Sequence, residues 1–354
     1  MTRKTTAIID LTALVDNYKQ LAALAEHSRL LAVIKADAYG HGAVQVARAL
    51  DDLAELFAVA FIDEAKALRA KGINTPILSL QGAFDVSECE WAAANNVWLV
   101  IHQEQQLRWI DQLENTKPVI WPKLDTGMHR LGFQPEEFAA IVKKYNHLLS
   151  EQSVIFTHLA SADDPQSAKT SEQLKRLENA MEQQVHEYSI ANSAGIIHWQ
   201  AARQQWNRTG IGMYGGFAGP MSKQLELKPV MTLKAKVIAI RDISKGETVG
   251  YGGTWKSMQP SRLATVGVGY ADGYPRHAPN GTPAYCNGER IFLTGRVSMD
   301  MLIFDVTHLQ EIDVGDDVEL WGNNLSITEV ADIVGTIDYE LMTRLSARVP
   351  RKYL

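Results

Sequence analysis

The strongest constraint on the fold is a repeated alternation of short apolar runs and amphipathic segments over the first two thirds of the sequence. The strand candidates are Leu30–Lys35, Phe57–Ala60, Pro76–Leu80, Val97–Ile101, Val119–Leu124, Val154–His158, Ser189–Asn192 and Trp206–Ile211. About eight strand–helix units within about 200 residues predict an α/β fold, a (β/α)8 barrel of the TIM type. A doubly wound open sheet has the same periodicity and stays open as the alternative.

The segments between these strands have helical patterns, as the barrel requires. Asp63 is a candidate N-cap, and Lys71 followed by Gly72 predicts the end of the same helix. The helix candidates include Ala43–Leu50, Asp63–Lys71, Val86–Asn95 and Gln134–Leu148.

The pattern changes after about Leu227, where strand-like runs are separated by turn sequences and helical patterning is scarce. A helix is expected only at Ile327–Val334. The sequence therefore predicts a barrel domain over 1–227 and a mostly β domain over 228–354. The strand candidates of the second domain are Met231–Ile240, Arg262–Val268, Arg290–Leu293, Met301–Val306 and Asp317–Leu320.

The N-terminal segment does not fit the barrel alternation. The run Thr5–Ile9 has no partner there, so residues 1–10 are candidates to pair with the β domain. Asp10 interrupts the apolar stretch, which argues against a secretory signal. No run of the sequence approaches the roughly 20 apolar residues that a membrane span needs. We expect a cytoplasmic protein.

The composition excludes several classes of partner. A formal net charge of −6 argues against general binding to nucleic acid or to a membrane surface. Cys89 and Cys286 lie far apart without ligand-like neighbours, so we expect neither a disulfide framework nor a metal site. The acidic segment Asp313–Leu320 does not have the spacing of a calcium loop and is interpreted as a solvated turn.

Polar residues follow five of the predicted strands at the point where each apolar run ends. They are Lys35, Lys123, His158, Asn192 and Arg208. In a (β/α)8 barrel the carboxyl ends of the strands form the rim of the active site. One such residue would be unremarkable, whereas five predict that these side chains converge on one site.

Lys35 ends an all-apolar strand within the segment AVIKADAYGHG. An ammonium in this position can be desolvated and its pKa lowered, which favours Schiff-base chemistry. The alternative is a lysine that extends to solvent from a strand end. Gly40 and Gly42 permit a tight turn, and Tyr39 offers a hydroxyl for an anion.

The segment VIKADAYGHG strongly resembles the cofactor-lysine motif of the alanine racemases, pyridoxal-phosphate enzymes of fold type III. Further segments resemble signatures of that family in the same order, and together they cover essentially the whole chain. They are KLDTGMHRLGF (Lys123–Phe133), THLASAD (Thr157–Asp163), ANSAG (Ala191–Gly195), RTGIGMYG (Arg208–Gly215), VGYGGTW (Val249–Trp255), GYADGYPR (Gly269–Arg276), GRVSMDM (Gly295–Met301) and ARVPR (Ala347–Arg351).

The resemblance implies two catalytic residues. Lys35 would form the internal aldimine with pyridoxal phosphate, and Tyr251 would be the second acid–base group on the opposite face of the cofactor. A free tyrosine has a pKa near 10 and is a poor base at neutral pH. The family hydrogen-bonds it to the histidine matching His158, which contacts the arginine matching Arg208. A packed turn tyrosine and a core histidine are the structural alternatives.

Arg208 has an informative place in the resemblance, because many pyridoxal enzymes use a carboxylate to keep the cofactor's ring nitrogen protonated. An arginine cannot accept that proton. The ring would then be a weaker electron sink, which suits racemisation and disfavours transamination. A purely structural arginine is the alternative.

The cofactor phosphate would contact Tyr39, Ser193 and the backbone N–H groups of Gly210 and Ile211. Ser193 follows Asn192 where a strand passes into a helix, and helix N-termini present unpaired donors to anions. Ser193 as a plain N-cap is the alternative, and both roles can hold together.

The resemblance also assigns residues around the substrate. Arg130 matches an arginine near the cofactor phenol oxygen and the substrate carboxylate, and Met299 would offer its backbone N–H to that carboxylate. Lys123 matches a lysine that is carbamylated in many members of the family and then holds the arginine in place. An unmodified Lys123 stays open, since carbamylation is invisible in a sequence.

Two further positions concern the entrance to the site. Tyr270 and Asp272 match entrance residues, with an ordinary turn as the alternative. Some members of the family have a tyrosine that touches the phosphate just before the final RVP, but this sequence has Ala347 there. Phosphate anchoring is then expected to depend more on Tyr39 and the backbone donors.

Together these expectations describe a homodimeric racemase with active sites shared between subunits, which supplies D-alanine for peptidoglycan. A racemase of another amino acid such as serine is the nearest alternative, because a small pocket discriminates one hydroxyl weakly, by about 10²-fold. A related decarboxylase is disfavoured by Arg208. A pyridoxal-phosphate carrier without catalysis would lack the β domain that carries Tyr251.

Overall fold

The structure is a computed structural model in which the chain divides into two compact units. We call Val15–Met213 with Phe217–Leu227 the barrel unit. The β unit comprises Met1–Leu14, Tyr214–Gly216 and Lys228–Leu354, so the division is not a single boundary at residue 227. The residues that the structure describes are 4–181, 187–216, 219 and 225–354.

The elements are numbered in chain order. The strands are β1 (Thr6–Ile9), β2 (Arg29–Val33), β3 (Phe57–Val59), β4 (Ile77–Ser79), β5 (Val97–Ile101), β6 (Ile120–Pro122), β7 (Val154–Phe156), β8 (Glu187–Ser189), β9 (Trp206–Thr209), β10 (Met231–Ile243), β11 (Thr248–Val249), β12 (Trp255–Lys256), β13 (Ser261–Val266), β14 (Pro283–Cys286), β15 (Glu289–Leu293), β16 (Leu302–Asp305), β17 (Asp317–Trp321) and β18 (Arg351–Tyr353). The helices are α1 (Leu11–Ala23), the single turn α2 (Lys35–Tyr39), α3 (Ala43–Leu50), α4 (Ile62–Arg69), α5 (Val86–Ala94), α6 (Glu104–Asp111), α7 (Pro135–Lys144), α8 (Ala168–Met181), α9 (Ser193–His198), α10 (Ile327–Val334) and α11 (Asp338–Thr343).

The barrel unit contains a ring of parallel strands that follow one another in chain order from β2 to β9, and β9 pairs again with β2. Lys123 forms an isolated parallel bridge to Phe156 where β6 and β7 meet, so the ring is nearly closed. A doubly wound sheet would reverse its strand order at the centre. The prediction of a (β/α)8 barrel is confirmed.

The strand β5 ends at Ile101 as predicted, and the other strands of the ring end earlier than the sequence predicts. β2 ends at Val33, so Lys35 begins the following turn rather than ending the strand. β8 ends at Ser189, and the chain then leaves the sheet so that Asn192 can cap α9. At these ends apolar residues continue past the last hydrogen-bonded residue of the strand. The polar side chains that follow them therefore lie at the rim of the barrel.

Asp63 is not an N-cap, contrary to the sequence prediction. The helix α4 begins one residue earlier, at Ile62, and Phe61 occupies the cap position. The capping contact comes from Glu64, whose Oε2 accepts the backbone N–H of Phe61 at 3.3 Å. An acidic residue three positions into a helix can reach back to the cap in this way, so Asp63 is left in the exposed first turn.

The β unit contains a closed antiparallel barrel of six strands. They are ordered β13, β16, β15, β14, β17 and β10, and β10 pairs back to β13. The long strand β10 pairs with β17 and β1 through its first half and with β13 through its second half, after a register shift between Val237 and Ala239. β1 lies antiparallel to β10 and parallel to β18, so the N-terminal strand belongs to this sheet.

Five elements of the β unit were not predicted from the sequence, among them the two-residue strands β11 and β12. β14 begins with a proline and has only four residues, β18 lies at the chain end, and α11 has only six residues. Such short elements depend on tertiary pairing rather than on a local pattern. The helix expected at Ile327–Val334 is present as α10. Along the described residues, no helix is long and apolar enough to cross a bilayer.

Two glycines of the β unit provide a test of its packing, since both have positive φ, +108° at Gly273 and +87° at Gly281. A Cβ at Gly273 would lie 2.4 Å from the Arg344 carbonyl oxygen, whereas a Cβ at Gly281 would meet nothing within 4 Å. We expect Gly281→Ala to lower the free energy of unfolding by about 1–2 kcal/mol, from backbone strain alone. Gly273→Ala adds a clash with main chain and should lower it by roughly 2–5 kcal/mol. Urea unfolding of the two variants measures this, and equal losses would contradict the described packing.

Candidate active site

The predicted site residues fall on both units, and each group is described within its own unit. Lys35 lies at the carboxyl end of β2 in the barrel unit and is partly buried. The residues that follow it, Ala36–Tyr39, form a left-handed turn with φ between 52° and 53°. L-residues in this conformation cost roughly 1–2 kcal/mol each, so surrounding contacts must hold the turn.

Side chains on and beside the turn provide several of these contacts. The Asp37 carboxylate accepts the Ala43 backbone N–H at 2.8 Å and so satisfies the N-terminus of α3. His41 Nδ1 lies 2.9 Å from the Ala38 carbonyl oxygen and 3.0 Å from that of Tyr39. Carbonyl oxygens only accept, so Nδ1 carries the proton and donates to the turn.

The electrostatic surroundings of Lys35 favour the neutral amine. Burial lowers the pKa of Lys35 below its usual value, the Arg130 cation adds to this effect, and Glu64 opposes it. A neutral amine is the form that attacks a carbonyl carbon. The environment therefore suits the covalent chemistry predicted for this residue.

Arg208 is buried at the end of β9 and is held by neutral partners. Its Nη1 donates to Ser189 Oγ at 2.9 Å, and its Nη2 donates to the carbonyl oxygens of Thr157 and Ile190 at 2.9 and 3.0 Å. The guanidinium lies 4.2 Å from the centre of the Phe156 ring. Burial lowers its pKa to about 9, and at neutral pH it remains a fixed cation.

His158 Nδ1 lies 3.1 Å from Arg208 Nη2, which shares its two hydrogens among this nitrogen and the two carbonyl oxygens. A guanidinium only donates, so Nδ1 is unprotonated and the neutral ring carries its proton on Nε2. Burial, followed by the cations of Arg208 and Lys123, holds the pKa of His158 well below its usual value. These surroundings therefore favour the neutral ring with its proton on Nε2.

The predicted phosphate residues meet between α9 and the end of β9. Asn192 is the N-cap of α9, and its side-chain oxygen accepts the Gly195 N–H at 2.9 Å. The Ser193 hydroxyl oxygen accepts the N–H groups of Gly210 and Gly212 at 2.9 and 3.2 Å. This engages the Gly210 N–H that the sequence analysis assigned to phosphate, and leaves the Ser193 hydroxyl hydrogen as the donor to an anion.

Tyr39 lies close to this same segment. A Cβ at Gly210 would lie 2.7 Å from the Tyr39 hydroxyl oxygen, so only glycine allows the ring to approach this closely. Ile211, the next residue, is buried. The turn after β2 and the turn after β9 are thus brought together.

Lys123 follows β6 and is buried, with its Nζ 5.4 Å from the centre of the Phe156 ring. Burial lowers its pKa to about 8, and the cations of Arg130 and Arg208 contribute to the same direction. A substantial fraction of the amine is therefore neutral near physiological pH.

Arg130 is exposed on the loop that follows Lys123, and the sequence analysis missed the residue that shapes this loop. The Asp125 carboxylate accepts the backbone N–H groups of Gly127, Met128 and His129 at 2.9, 3.0 and 3.1 Å. Burial opposes ionisation, but these donors hold the pKa of Asp125 below its usual value. The Asp-Thr-Gly sequence is an Asx-turn signal that could have identified it.

Positive charge dominates this end of the barrel unit. Within the described chain, no carboxylate lies in ion-pair distance of the four cations Lys35, Lys123, Arg130 and Arg208, although the structure contains ion pairs elsewhere. Cations gathered at one end of the unit without an ion-pair partner, with Lys123 and Arg208 buried, favour a ligand with several negative charges.

The β unit carries Tyr251 on the turn Tyr251–Gly253, between β11 and β12. Gly250 and Gly252 on either side have φ of 72° and 73°, a conformation that glycine adopts without strain. The Tyr251 side chain is 69% exposed, so it is not the packed turn tyrosine of the structural alternative. The phenol is available to a partner or a ligand.

Met299 is 53% exposed on a turn beside the segment that carries Tyr270. The Ala271 N–H donates to the Met299 carbonyl oxygen at 3.0 Å, and the Tyr270 N–H donates to that of Ser298 at 3.1 Å. The Met299 N–H has no acceptor in the described part of the chain. It can therefore donate to a substrate carboxylate, as the resemblance implies.

The two predicted entrance residues differ in their surroundings. Tyr270 is partly exposed, but the Asp272 side chain is fully buried, and its Oδ2 accepts the Gly269 N–H at 3.0 Å. Arg348 Nε lies 3.6 Å from Asp272 Oδ1. In this chain Asp272 therefore holds the turn together, which was the structural alternative. Ala347 is exposed beside these residues.

Comparisons with known proteins agree over the full chain. Family models for the N-terminal and the C-terminal domain of alanine racemase match residues 9–217 and 230–353. An alanine racemase of Alteromonas mediterranea is 52% identical over 358 residues, which covers 100% of both chains. The crystal structure of the biosynthetic alanine racemase from Pseudomonas aeruginosa has 42% identity and a TM-score of 0.95, with 100% of both chains covered.

A further relative is informative about the cofactor. The crystal structure of alanine racemase from Bartonella henselae, described with covalently bound pyridoxal phosphate, has 32% identity and a TM-score of 0.92 over 100% of both chains. The parallel ring, the closed β barrel and the lysine at a strand end thus define an amino-acid racemase of the barrel-plus-β-domain class. The chain belongs to the alanine racemase family and is an alanine racemase.

The protonation state of His158 provides a direct test of the site. We expect its imidazole to stay neutral, with the proton on Nε2, between about pH 6 and pH 8, because burial and neighbouring cations disfavour the imidazolium. Nitrogen NMR of histidine-labelled protein reports both properties. Arg208→Gln should raise the pKa of His158 towards its usual value. Arg203→Gln is the matched control, since Arg203 bonds to the main chain at Ile196, away from this site. A charged His158 at pH 7 would contradict the assignment.

Proposed function

We propose that this alanine racemase interconverts L- and D-alanine with pyridoxal phosphate bound covalently to Lys35. The observation that carries the proposal is a partly buried lysine of lowered pKa at a strand end, among cations that lack carboxylate partners. The covalently bound cofactor of the Bartonella henselae relative supports it.

The residues present fit this cofactor, which has a phosphate, a phenolic oxygen and a ring nitrogen. The hydroxyls of Tyr39 and Ser193 lie beside the Gly210 segment and would hold the phosphate. When bound, the cofactor withdraws electrons from the α-carbon of the amino acid. Arg208 would donate to the ring nitrogen but cannot give it a proton without becoming neutral. That restrains electron withdrawal and favours simple return of a proton.

Racemisation requires that a proton leave one face of the α-carbon and return to the other. We assign these two roles to Lys35 and Tyr251. The Tyr251 phenol needs a donor to its oxygen before it can act as a base at neutral pH. His158 is suited to this task, because Arg208 leaves its proton on Nε2. Arg130 and the Met299 N–H would hold the substrate carboxylate.

Lys123 is proposed to be carbamylated. Its pKa of about 8 leaves part of the amine neutral, and the nitrogen lone pair can then bond to the carbon of CO₂ with loss of one proton. The resulting carbamate is an anion beside Arg130 and Arg208, where positive charge is otherwise in excess. It would hold Arg130 in position for the substrate.

Tyr251 is exposed in the β unit of a single chain, whereas Lys35 belongs to the barrel unit. We propose a homodimer in which the Lys35 of one subunit acts with Tyr251 of the other, at two sites related by twofold symmetry. The physiological role proposed is the supply of D-alanine for peptidoglycan in the cytoplasm.

The cofactor lysine is tested by chemical trapping. We expect purified protein to be yellow, and borohydride reduction followed by peptide mapping to find the pyridoxyl group on Lys35. Lys35→Ala should carry no such group and should lose racemisation of alanine in a chiral chromatography assay. The same assay with serine measures substrate breadth. A pyridoxyl group on Lys123 would refute the assignment.

Sharing of the site is tested with mixed dimers. Lys35→Ala and Tyr251→Phe should each be inactive alone, because each lacks one acid–base group at both sites. In a mixed dimer one site is intact and the other carries both lesions. With random exchange about half of the dimers are mixed, so activity should recover to roughly a quarter of wild type. Two affinity tags isolate the mixed dimer, and inactivity of that species when folded and loaded with cofactor would refute a shared site.

A further inference from the structure

Glu64 makes a contact that its position in α4 does not require. Its Oε2 accepts the N–H groups of Ala60 and Phe61 at 2.7 and 3.3 Å, the usual role of an acidic residue in the first turn of a helix. Its Oε1 accepts the Ala36 N–H at 2.6 Å. One carboxylate therefore joins the chain after β3 to the turn after β2.

Ala36 is the residue directly after Lys35 and the first of the left-handed turn. The bonds within the turn begin further along, with the Ala38 N–H to the Ile34 carbonyl and the Gly40 N–H to the Ala36 carbonyl. The Ala36 N–H thus depends on Glu64 as its acceptor. An N–H at the start of a turn without an acceptor favours rearrangement of the backbone.

We propose that Glu64 is a positioning residue for Lys35: its carboxylate holds the left-handed turn through the Ala36 N–H, and its negative charge acts on the lysine from beyond ion-pair distance. This inference rests on the proposed function, in which Lys35 carries the cofactor. Glu64 itself touches neither cofactor nor substrate in the proposal. Glu64 acts by fixing the direction in which the Lys35 backbone leaves β2.

The charges around Lys35 give the proposal a second consequence. Arg130 disfavours the ammonium, and Lys35 in turn acts on Lys123 and His158 as a like charge. Glu64 is the group that favours the ammonium. Removal of its charge should therefore lower the pKa of Lys35 further, so that apo-protein reacts with pyridoxal phosphate at lower pH.

The alternative is that Glu64 serves only the N-terminus of α4. Glu137 provides a matched control, because it occupies the same position in α7 and its Oε1 accepts the Gln134 N–H at 3.0 Å. Glu137 makes no contact with the turn of Lys35. Both Glu→Gln substitutions remove one charge from a helix N-terminus, but an amide has only one acceptor oxygen. Glu137 uses a single oxygen, so Gln can keep that bond. Glu64 uses both oxygens, so Glu64→Gln must weaken the contact with Ala36 or the cap of α4.

The experiment titrates apo-protein with pyridoxal phosphate and follows visible absorbance across a pH series. We expect Glu64→Gln to weaken cofactor affinity by roughly tenfold to a hundredfold, the effect of losing a charge-assisted hydrogen bond. The pH midpoint of the reaction should move lower. Glu137→Gln should match wild type in both the cofactor affinity and the pH midpoint. If Glu64→Gln does not fold, Glu64→Asp replaces it. This variant keeps the negative charge but has a shorter side chain, so only its cofactor affinity and the rescue of that affinity by Ala36→Gly are compared.

A second substitution separates positioning from general stability. Ala36→Gly in the Glu64→Gln background should recover part of the lost affinity, because glycine adopts positive φ without strain. The proposal would be overturned if Glu64→Gln bound the cofactor as tightly as Glu137→Gln does, or if its pH midpoint did not move. It would also be overturned if Ala36→Gly failed to restore any affinity. If wild-type protein is not labelled on Lys35 after borohydride reduction, the proposed function itself fails, and the two failures are thereby distinguished.

Discussion

The pairing of β2 with β9 is the interaction on which the barrel site depends. These strands are joined in register from Arg29 with Trp206 to Ala32 with Thr209, although they lie far apart in the sequence. The register brings the turn after β2, with Lys35 and Tyr39, against Gly210. Because the ladder is parallel, both strands end at the same rim, and groups that act on one ligand can meet there.

The excess of positive charge at this rim has two effects with one physical cause. Desolvation and mutual repulsion lower the pKa values of Lys35 and Lys123, so each amine has a larger neutral fraction than an isolated surface lysine. The same charges favour an anionic ligand. The same arrangement therefore favours both a neutral amine and an anionic ligand, while Arg208 keeps its place through neutral acceptors.

The sequence predicts the architecture well because buried parallel strands are apolar and end where polar residues begin. Lys35, His158 and Arg208 could be identified in this way. The left-handed turn could not be predicted, because the sequence Ala-Asp-Ala-Tyr contains no glycine, the residue that usually indicates positive φ. Glu64 was also out of reach, because its contact with Ala36 spans 28 residues and depends on how β2 and β3 pair. From the sequence, Asp63 was the best candidate for the N-cap of α4. The observed start of α4 places Asp63 inside the helix instead.

The left-handed turn after Lys35 bears on how the protein acquires its ligand. Its unfavourable backbone is held by contacts among Asp37, His41 and the neighbouring main chain, all of which form when the barrel folds. Because these contacts lie within the chain, ligand association does not have to supply the ordering of this segment. When the lysine already has one orientation, less conformational entropy is lost as the ligand binds. Fewer encounters between ligand and lysine are then unproductive.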